Sequence, residues 1–183
     1  GEYSNTTYSG GLFERGTLDD QGNKTGTWHY GNGTDYIARE ESYRNGKIHG
    51  ERKQFYSNGA PWHYEEYVDC KRHGKSVDYD RDNGQPSLEH MYRDDKKHGE
   101  FKVWYNGHLE RAGIYKDDKL VMEKRYHEGK LHDVYLLDET GSLTKVEGYN
   151  NTGQRTYRNA AFKKHPSITL RESASGVIDI EIE

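Results

Sequence analysis

The dipeptide His-Gly recurs at His49-Gly50, His73-Gly74 and His98-Gly99, at intervals of 24 and 25 residues, always with a lysine two positions before the histidine. Lys130-Leu131-His132-Asp133 is a weaker echo. A period of this length marks a repeat architecture, in which one unit buries its apolar side only against the next. A second punctuation falls between these sites: Asn32-Gly33, Asn45-Gly46, Asn58-Gly59, Asn83-Gly84 and Asn106-Gly107, then Glu128-Gly129, Thr140-Gly141 and Thr152-Gly153. Asn-Gly is the strongest short-range hairpin signal. With Gly22 and degenerate turns near Cys70, Asp95 and Asp118, the turns come every 11 to 14 residues. That leaves room for one strand and its turn, and for no helix. The spacing predicts an all-β chain, a single-layer antiparallel meander of repeated β-hairpins.

Even separations along a strand share a face. An aliphatic residue or proline stands six positions before a tyrosine in Ile37/Tyr43, Pro61/Tyr67, Pro86/Tyr92, Leu109/Tyr115, Leu120/Tyr126 and Leu143/Tyr149. These residues are expected on one side of the sheet, the core side, with each tyrosine stacked on the next. The intervening strands add Trp28/Tyr30, Val77/Tyr79, Phe101/Val103/Tyr105 and Tyr135/Leu137. Leu, Ile, Val and Phe make up only about 15% of the chain, a fraction that alone suggests disorder. The 16 Tyr and 3 Trp supply the missing apolar area. Between Gly107 and Gly129 two Leu/Tyr strands follow one another, as if a half repeat were inserted or lost.

Three regions follow: N-terminal capping strands over 1–21, the repeat sheet over 22–162 and a capping hairpin over 163–183. The pattern stops after Phe162 and Pro166 breaks it. Ile168 to Glu172, a Ser173-Ala174-Ser175-Gly176 turn and Val177 to Glu183 read as the hairpin, with Ile178, Ile180 and Ile182 alternating with acidic residues. Such charge protects an open sheet edge.

Several functions are set aside by composition. The longest strongly apolar runs are three or four residues, such as Val134 to Leu137, so no transmembrane segment is expected. With 27 Lys and Arg against 31 Asp and Glu, a net charge of -4, and cations scattered singly, a nucleic-acid partner is not expected. Cys70 is the single cysteine, which precludes an internal disulfide or a thiolate cluster. Equivalent histidines stand two strands apart, roughly 9 to 10 Å, too far to share a metal at about 2 Å. His49, His73, His98 and His132 therefore read as turn residues. The adjacent pairs Glu40-Glu41 and Glu65-Glu66 point to opposite faces and form no dyad. No phosphate loop, metalloprotease motif or nucleophile elbow is present. Neither enzymatic activity nor a cofactor or metal is expected.

The unit made of Asn-Gly, an aliphatic, a tyrosine six residues on, Lys-x-His-Gly and an aromatic-rich strand resembles the MORN repeat, and more narrowly the variant in YwqK-type antitoxins. The residues that carry the resemblance are Asn45 to Gly50, Lys71 to Gly74, Lys96 to Gly99 and Lys130 to Asp133, with the six tyrosines above. It covers roughly Gly22 to Phe162. The resemblance implies a twisted single-layer sheet in a bacterial protein that neutralises a toxin, acting in the cytoplasm. The start at Gly1 keeps a removed signal peptide, and so the periplasm or envelope, open. Trp62 and Tyr64 are expected on the face opposite Tyr67, joined there by Glu40, Glu89 and Glu123, each three residues before a tyrosine. Such an aromatic and acidic stripe suits a basic toxin domain. The alternative is a repeat scaffold attached to a membrane or the cell envelope.

Overall fold

Type I′ turns favour glycine or asparagine because both central residues need positive φ. Six turns of the chain have that geometry: Asn45-Gly46, Asp69-Cys70, Asp94-Asp95, Asn106-Gly107, Asp117-Asp118 and Glu128-Gly129. The computed structural model describes residues 1–6, 11–33, 36–160, 168–172 and 178–182. Its strands are β1 (Glu2–Thr6), β2 (Leu12–Leu18), β3 (Lys24–Asn32), β4 (Tyr36–Arg44), β5 (Lys47–Phe55), β6 (Pro61–Val68), β7 (Lys71–Tyr79) and β8 (Pro86–Arg93). There follow β9 (Lys96–Tyr105), β10 (His108–Lys116), β11 (Lys119–His127), β12 (Lys130–Leu137), β13 (Leu143–Tyr149), β14 (Arg155–Ala160), β15 (Ile168–Glu172) and β16 (Ile178–Ile182). No helix occurs among the described residues.

Strands β1 to β14 form one open antiparallel sheet in sequence order, while β15 pairs with β16. Substantial contacts run only between sequence-adjacent strands, so the sheet is a single layer. Its hairpins are also tied to the strands before them. The backbone N–H groups of Gly46, Cys70, Asp95 and Asp118 donate to the carbonyls of Lys24, Ile48, Arg72 and Lys97 at 2.8 to 3.0 Å. The break expected at Pro166, the boundary at Phe162 and the Ser173 to Gly176 turn lie outside the described residues, as do the side chains of β16.

The His-Gly histidines do not sit in turns, as the sequence suggested, but inside strands, at bulges. Tyr43 faces Ile48 and Glu41 faces Arg52, so only Ser42 opposes His49, Gly50 and Glu51. The same offset places Arg72 opposite Tyr67 and Ser76 opposite Glu65, and Lys97 opposite Tyr92 and Phe101 opposite His90. Gly50, Gly74 and Gly99 lie at φ of 102°, 113° and 103°. A Cβ on Gly74 would run into the Glu66 carboxylate, and one on Gly50 or Gly99 would come within 3.2 Å of Ser42 or Met91. Where Met122 and Asp133 replace that glycine, the bulge shrinks to a single extra residue, Val121 or His132. Strand β11 thus serves both roles, bulged against β10 and presenting Tyr126 to β12, which is the half repeat seen in the sequence.

One residue fewer in the bulge reverses the side-chain alternation. Tyr43, Tyr67, Tyr92 and Tyr115 share one face, here the tyrosine face, but Tyr126 and Tyr149 lie on the opposite face. There Tyr126 is paired with Leu131, and Leu131 and Tyr149 pack against Ile114, Val121, Met122 and Val134. The six-residue spacing also crosses a bulge in all six instances, as at Ala38 between Ile37 and Tyr43. Parity counted through it does not hold. The core accordingly divides between the two faces. Trp28, 0% exposed, and Phe101 lie on the tyrosine face, whereas Val77 and, three strands away, the Ile114 group lie on the other.

Two substitutions check these assignments. Cys70 holds φ of 70° without the carbonyl or carboxylate that lets Asn or Asp tolerate that region. Cys70→Gly is expected to raise stability by about 1 kcal/mol in urea unfolding. Gly74→Ala is expected to lower it by about 2 kcal/mol or more.

Candidate functional site

A single layer can bury a polar side chain only beneath its neighbours on the same face, so charged groups there must satisfy one another. On the tyrosine face, directly opposed residues form a row from Trp28 through Glu41, Arg52, Glu65, Ser76 and His90 to Phe101, Gly113, Glu123 and Tyr135. Glu41, 2% exposed, accepts hydrogen bonds from Tyr43 at 2.6 Å and Arg52 at 2.8 Å. Arg52 also donates to the Tyr67 hydroxyl at 2.9 Å, and Tyr67 donates to Glu65 at 2.8 Å. Lys24 links Glu14 to Tyr30, and Tyr30 bonds Tyr43, all at 2.9 Å. His63 closes the chain, its Nδ1 on Asp78 and its Nε2 3.5 Å from Glu65. One connected network thus runs from β2 to β7.

Burial and pairing shift several members of the network. Burial would raise Glu65, but hydrogen bonds from His63 and Tyr67 and the charge of Arg52 outweigh it and hold the carboxyl down at about 2. His63 is raised, first by its bond to Glu65, with burial opposing and Asp78 assisting. Burial, with the bond to Glu65 adding, pushes Tyr67 up to about 12. Beyond Ser76 the row turns aromatic. His90 lies 5.9 Å from Phe101 and 5.8 Å from Tyr115, and burial drives its imidazole down to about 4, with Lys97 adding. Against burial, pairing holds the Glu65 and Glu123 carboxyls below their ordinary value, and burial keeps His90 neutral at pH 7. The chemistry of this row is cohesive.

The residues expected to form a stripe divide between two faces. Glu40, Tyr64 and Glu89 lie in one row opposite the tyrosine face, joined through Lys53 and Val77. Glu40 sits 3.5 Å from His29, and Glu89 3.4 Å from Lys75. Trp62 is the bulged residue between the Pro61–Phe55 and His63–Gln54 pairs and is 45% exposed. Glu123 departs from the expectation. It lies on the tyrosine face, 5% exposed, receiving Arg111 Nε at 3.0 Å and Arg125 Nε at 2.7 Å. The cause is the shortened bulge of β11, which moved Tyr126 to the far side and left Glu123 behind.

The sequence suggests Glu41 and Glu65 only as halves of a dyad, which is set aside, and does not single out Glu147; these are the carboxylates that matter most to packing. Their signal was Glu-x-Tyr, since each accepts from the tyrosine two residues on, Glu147 from Tyr149 at 2.8 Å. The surface also carries an open hollow of about 310 Å³ lined by Leu12, Phe13, Tyr30 and Gly31. Among the described residues, no three His, Cys, Asp or Glu side chains gather to hold a metal. No described helix is long and apolar enough to cross a membrane.

No family model and no curated protein matches the sequence. Two crystal structures of TarM, one of them S. aureus TarM in complex with fondaparinux, alpha-GlcNAc-glycerol and UDP, align at 12% and 13% identity and a TM-score of 0.31. The aligned part is 58% of this chain and 19% of theirs, so the chain spans about a fifth of the TarM length. That likeness establishes neither a shared fold nor a shared chemistry.

The network sets a pH dependence. Glu65 has a folded value below the ordinary 4.5, so its stabilisation is present above that pH and is lost as the pH falls toward about 2. His63 is raised above 6.5, so its contribution is complete below that pH and is lost as the pH climbs through the raised value. His90, held neutral by burial down to about 4, costs stability as the pH falls from 6.5 toward that value, so urea midpoints are expected to peak near pH 6.5 and to fall on either side. Glu65→Gln flattens the acid limb and His63→Gln the alkaline one.

Proposed function

We propose that the chain is a non-enzymatic binding protein that neutralises a cognate bacterial toxin by direct contact, an antitoxin or immunity protein of the kind its repeat resembles. The observation that supports this reading best is the open, one-layer sheet of fourteen strands. It offers an extended surface to a macromolecule rather than an enclosed cleft to a small substrate. Exposed Trp62, with Tyr64 on the row beside it, supplies the kind of aromatic anchor that carries binding energy. Glu40 and Glu89 set register and discriminate partners, because neighbouring His29 and Lys75 already offset part of their charge. The bacterial cytoplasm is where such a protein would meet its toxin.

Co-expression with the product of the adjacent gene, followed by affinity capture, tests the reading. The expected result is restored growth and a stable complex, with Trp62→Ala weakening capture by about thirtyfold, or roughly 2 kcal/mol. Neither rescue nor complex would contradict it.

A further inference from the structure

At the hairpin ends carrying Asn45-Gly46, Asp69-Cys70, Asp94-Asp95 and Asp117-Asp118, the fold assembles a row of cations that are scattered in the sequence. Arg44 stands directly opposite Lys47, Arg93 opposite Lys96, and Lys116 opposite Lys119, with Lys71 opposite Val68 between them. Each is the immediate neighbour of a residue on the tyrosine face, Tyr43, Arg72 or Lys97 for example, so alternation puts them all on the opposite face. Eight consecutive strands, β4 to β11, thus contribute seven cations and one exposed valine. At about 4.8 Å per strand the row is roughly 34 Å long.

Like charges directly opposite one another in a sheet are destabilising, yet three such pairs occur in this one row. Arg44 reaches Asp69 at 3.4 Å and Arg93 reaches Asp117 at 3.2 Å. The five lysines make no ion pair among the described residues. The neighbouring turn carboxylates are shared with groups outside the row. Asp69, Asp94 and Asp117 lie 3.2 to 3.5 Å from His49, His73 and His98, while Asp95 and Asp118 accept from the backbone N–H groups of Arg72 and Lys97. Seven cations against Asp69, Asp94, Asp95, Asp117 and Asp118 at the same turns leave a local excess of two positive charges on a chain whose net charge is -4.

We propose that this row docks an extended acidic polypeptide segment of a partner protein, laid across the strands along the rim of the sheet. Lysines one repeat apart, as Lys47, Lys71 and Lys96 are, lie two strands apart, about 9.6 Å measured across the strands. A segment in the polyproline II conformation, with three residues per turn, returns every third side chain to one face about 9.3 Å along the chain, so acidic residues at that period meet successive lysines. Val68, 42% exposed, interrupts the charge with an apolar step that suits a peptide side chain and not a phosphodiester. The acidic remainder of the molecule repels a long polyanion while admitting a short segment at the rim. The inference goes beyond the toxin-binding reading: it concerns the rim of that face and the opposite partner charge, and it stands or falls separately.

The test is fluorescence anisotropy with labelled poly-L-glutamate at about 50 and 200 mM salt. It compares the wild-type chain with a rim variant (Lys71→Gln, Lys96→Gln, Lys116→Gln and Lys119→Gln) and a control (Lys53→Gln, Lys102→Gln, Lys124→Gln and Lys130→Gln). Saturable, salt-sensitive binding that weakens at least about tenfold in the rim variant and less than about threefold in the control supports the proposal. No saturable wild-type binding, or equal loss in both variants, overturns it. Tighter binding of duplex DNA or of anionic vesicles overturns the choice of an acidic peptide. The rim variant is expected to melt no lower than wild type, since it relieves repulsion. Should it fail to fold, Lys96→Gln with Lys119→Gln carries the same comparison.

Discussion

Stacking of cationic side chains over tyrosine rings is the interaction on which the sheet depends. A one-layer sheet has no second layer to cover its rings, so cover must come from the same face. The bulged strands supply it. Arg72 lies 4.2 Å from the centre of the Tyr92 ring, Lys97 5.2 Å from that of Tyr115 and Arg52 4.9 Å from that of Tyr67. Each cation buries its aliphatic stem while its charge meets the ring face. This is how a chain with few aliphatic residues and 32% charged residues forms an ordered sheet. The residues counted as surface by composition are part of the packing.

Hydrogen bonding completes what stacking begins. The hydroxyl of each buried tyrosine needs a partner, and Glu41, Glu65 and Glu147 provide it from two positions earlier. Those carboxylates in turn need cations, which Arg52 and Lys145 provide from the same face. Breaking one partner strands another, so the network is cooperative across strands in a way that separate surface ion pairs are not.

The turns were fully legible because a type I′ turn leaves a local signature, and even Cys70, Asp95 and Asp118 fell at the interval their glycine counterparts set. The bulges were not. Gly50 and Gly74 look like turn glycines in the sequence, and only the pairing of Glu41 with Arg52 and of Glu65 with Ser76 reveals that they widen a strand. Every assignment of sidedness that relied on counting by two was exposed to that omission. Tyr64, Glu40 and Glu89 survived it because Tyr67, Tyr43 and Tyr92 all lie on the tyrosine face, while Glu123 did not, because the shortened bulge at Val121 put Tyr126 itself on the other side. The basic rim was hidden for a different reason. Its members are 23 to 25 residues apart in the chain, and register alone brings them side by side, reversing locally the sign that net charge implied.

A double-mutant cycle between Arg72 and Tyr92 tests the packing account most directly. Arg72→Met keeps the stem and removes the charge, and Tyr92→Leu removes the ring. The account predicts a coupling of about 1 kcal/mol in urea unfolding. A coupling indistinguishable from zero, with both single variants folded, would contradict it.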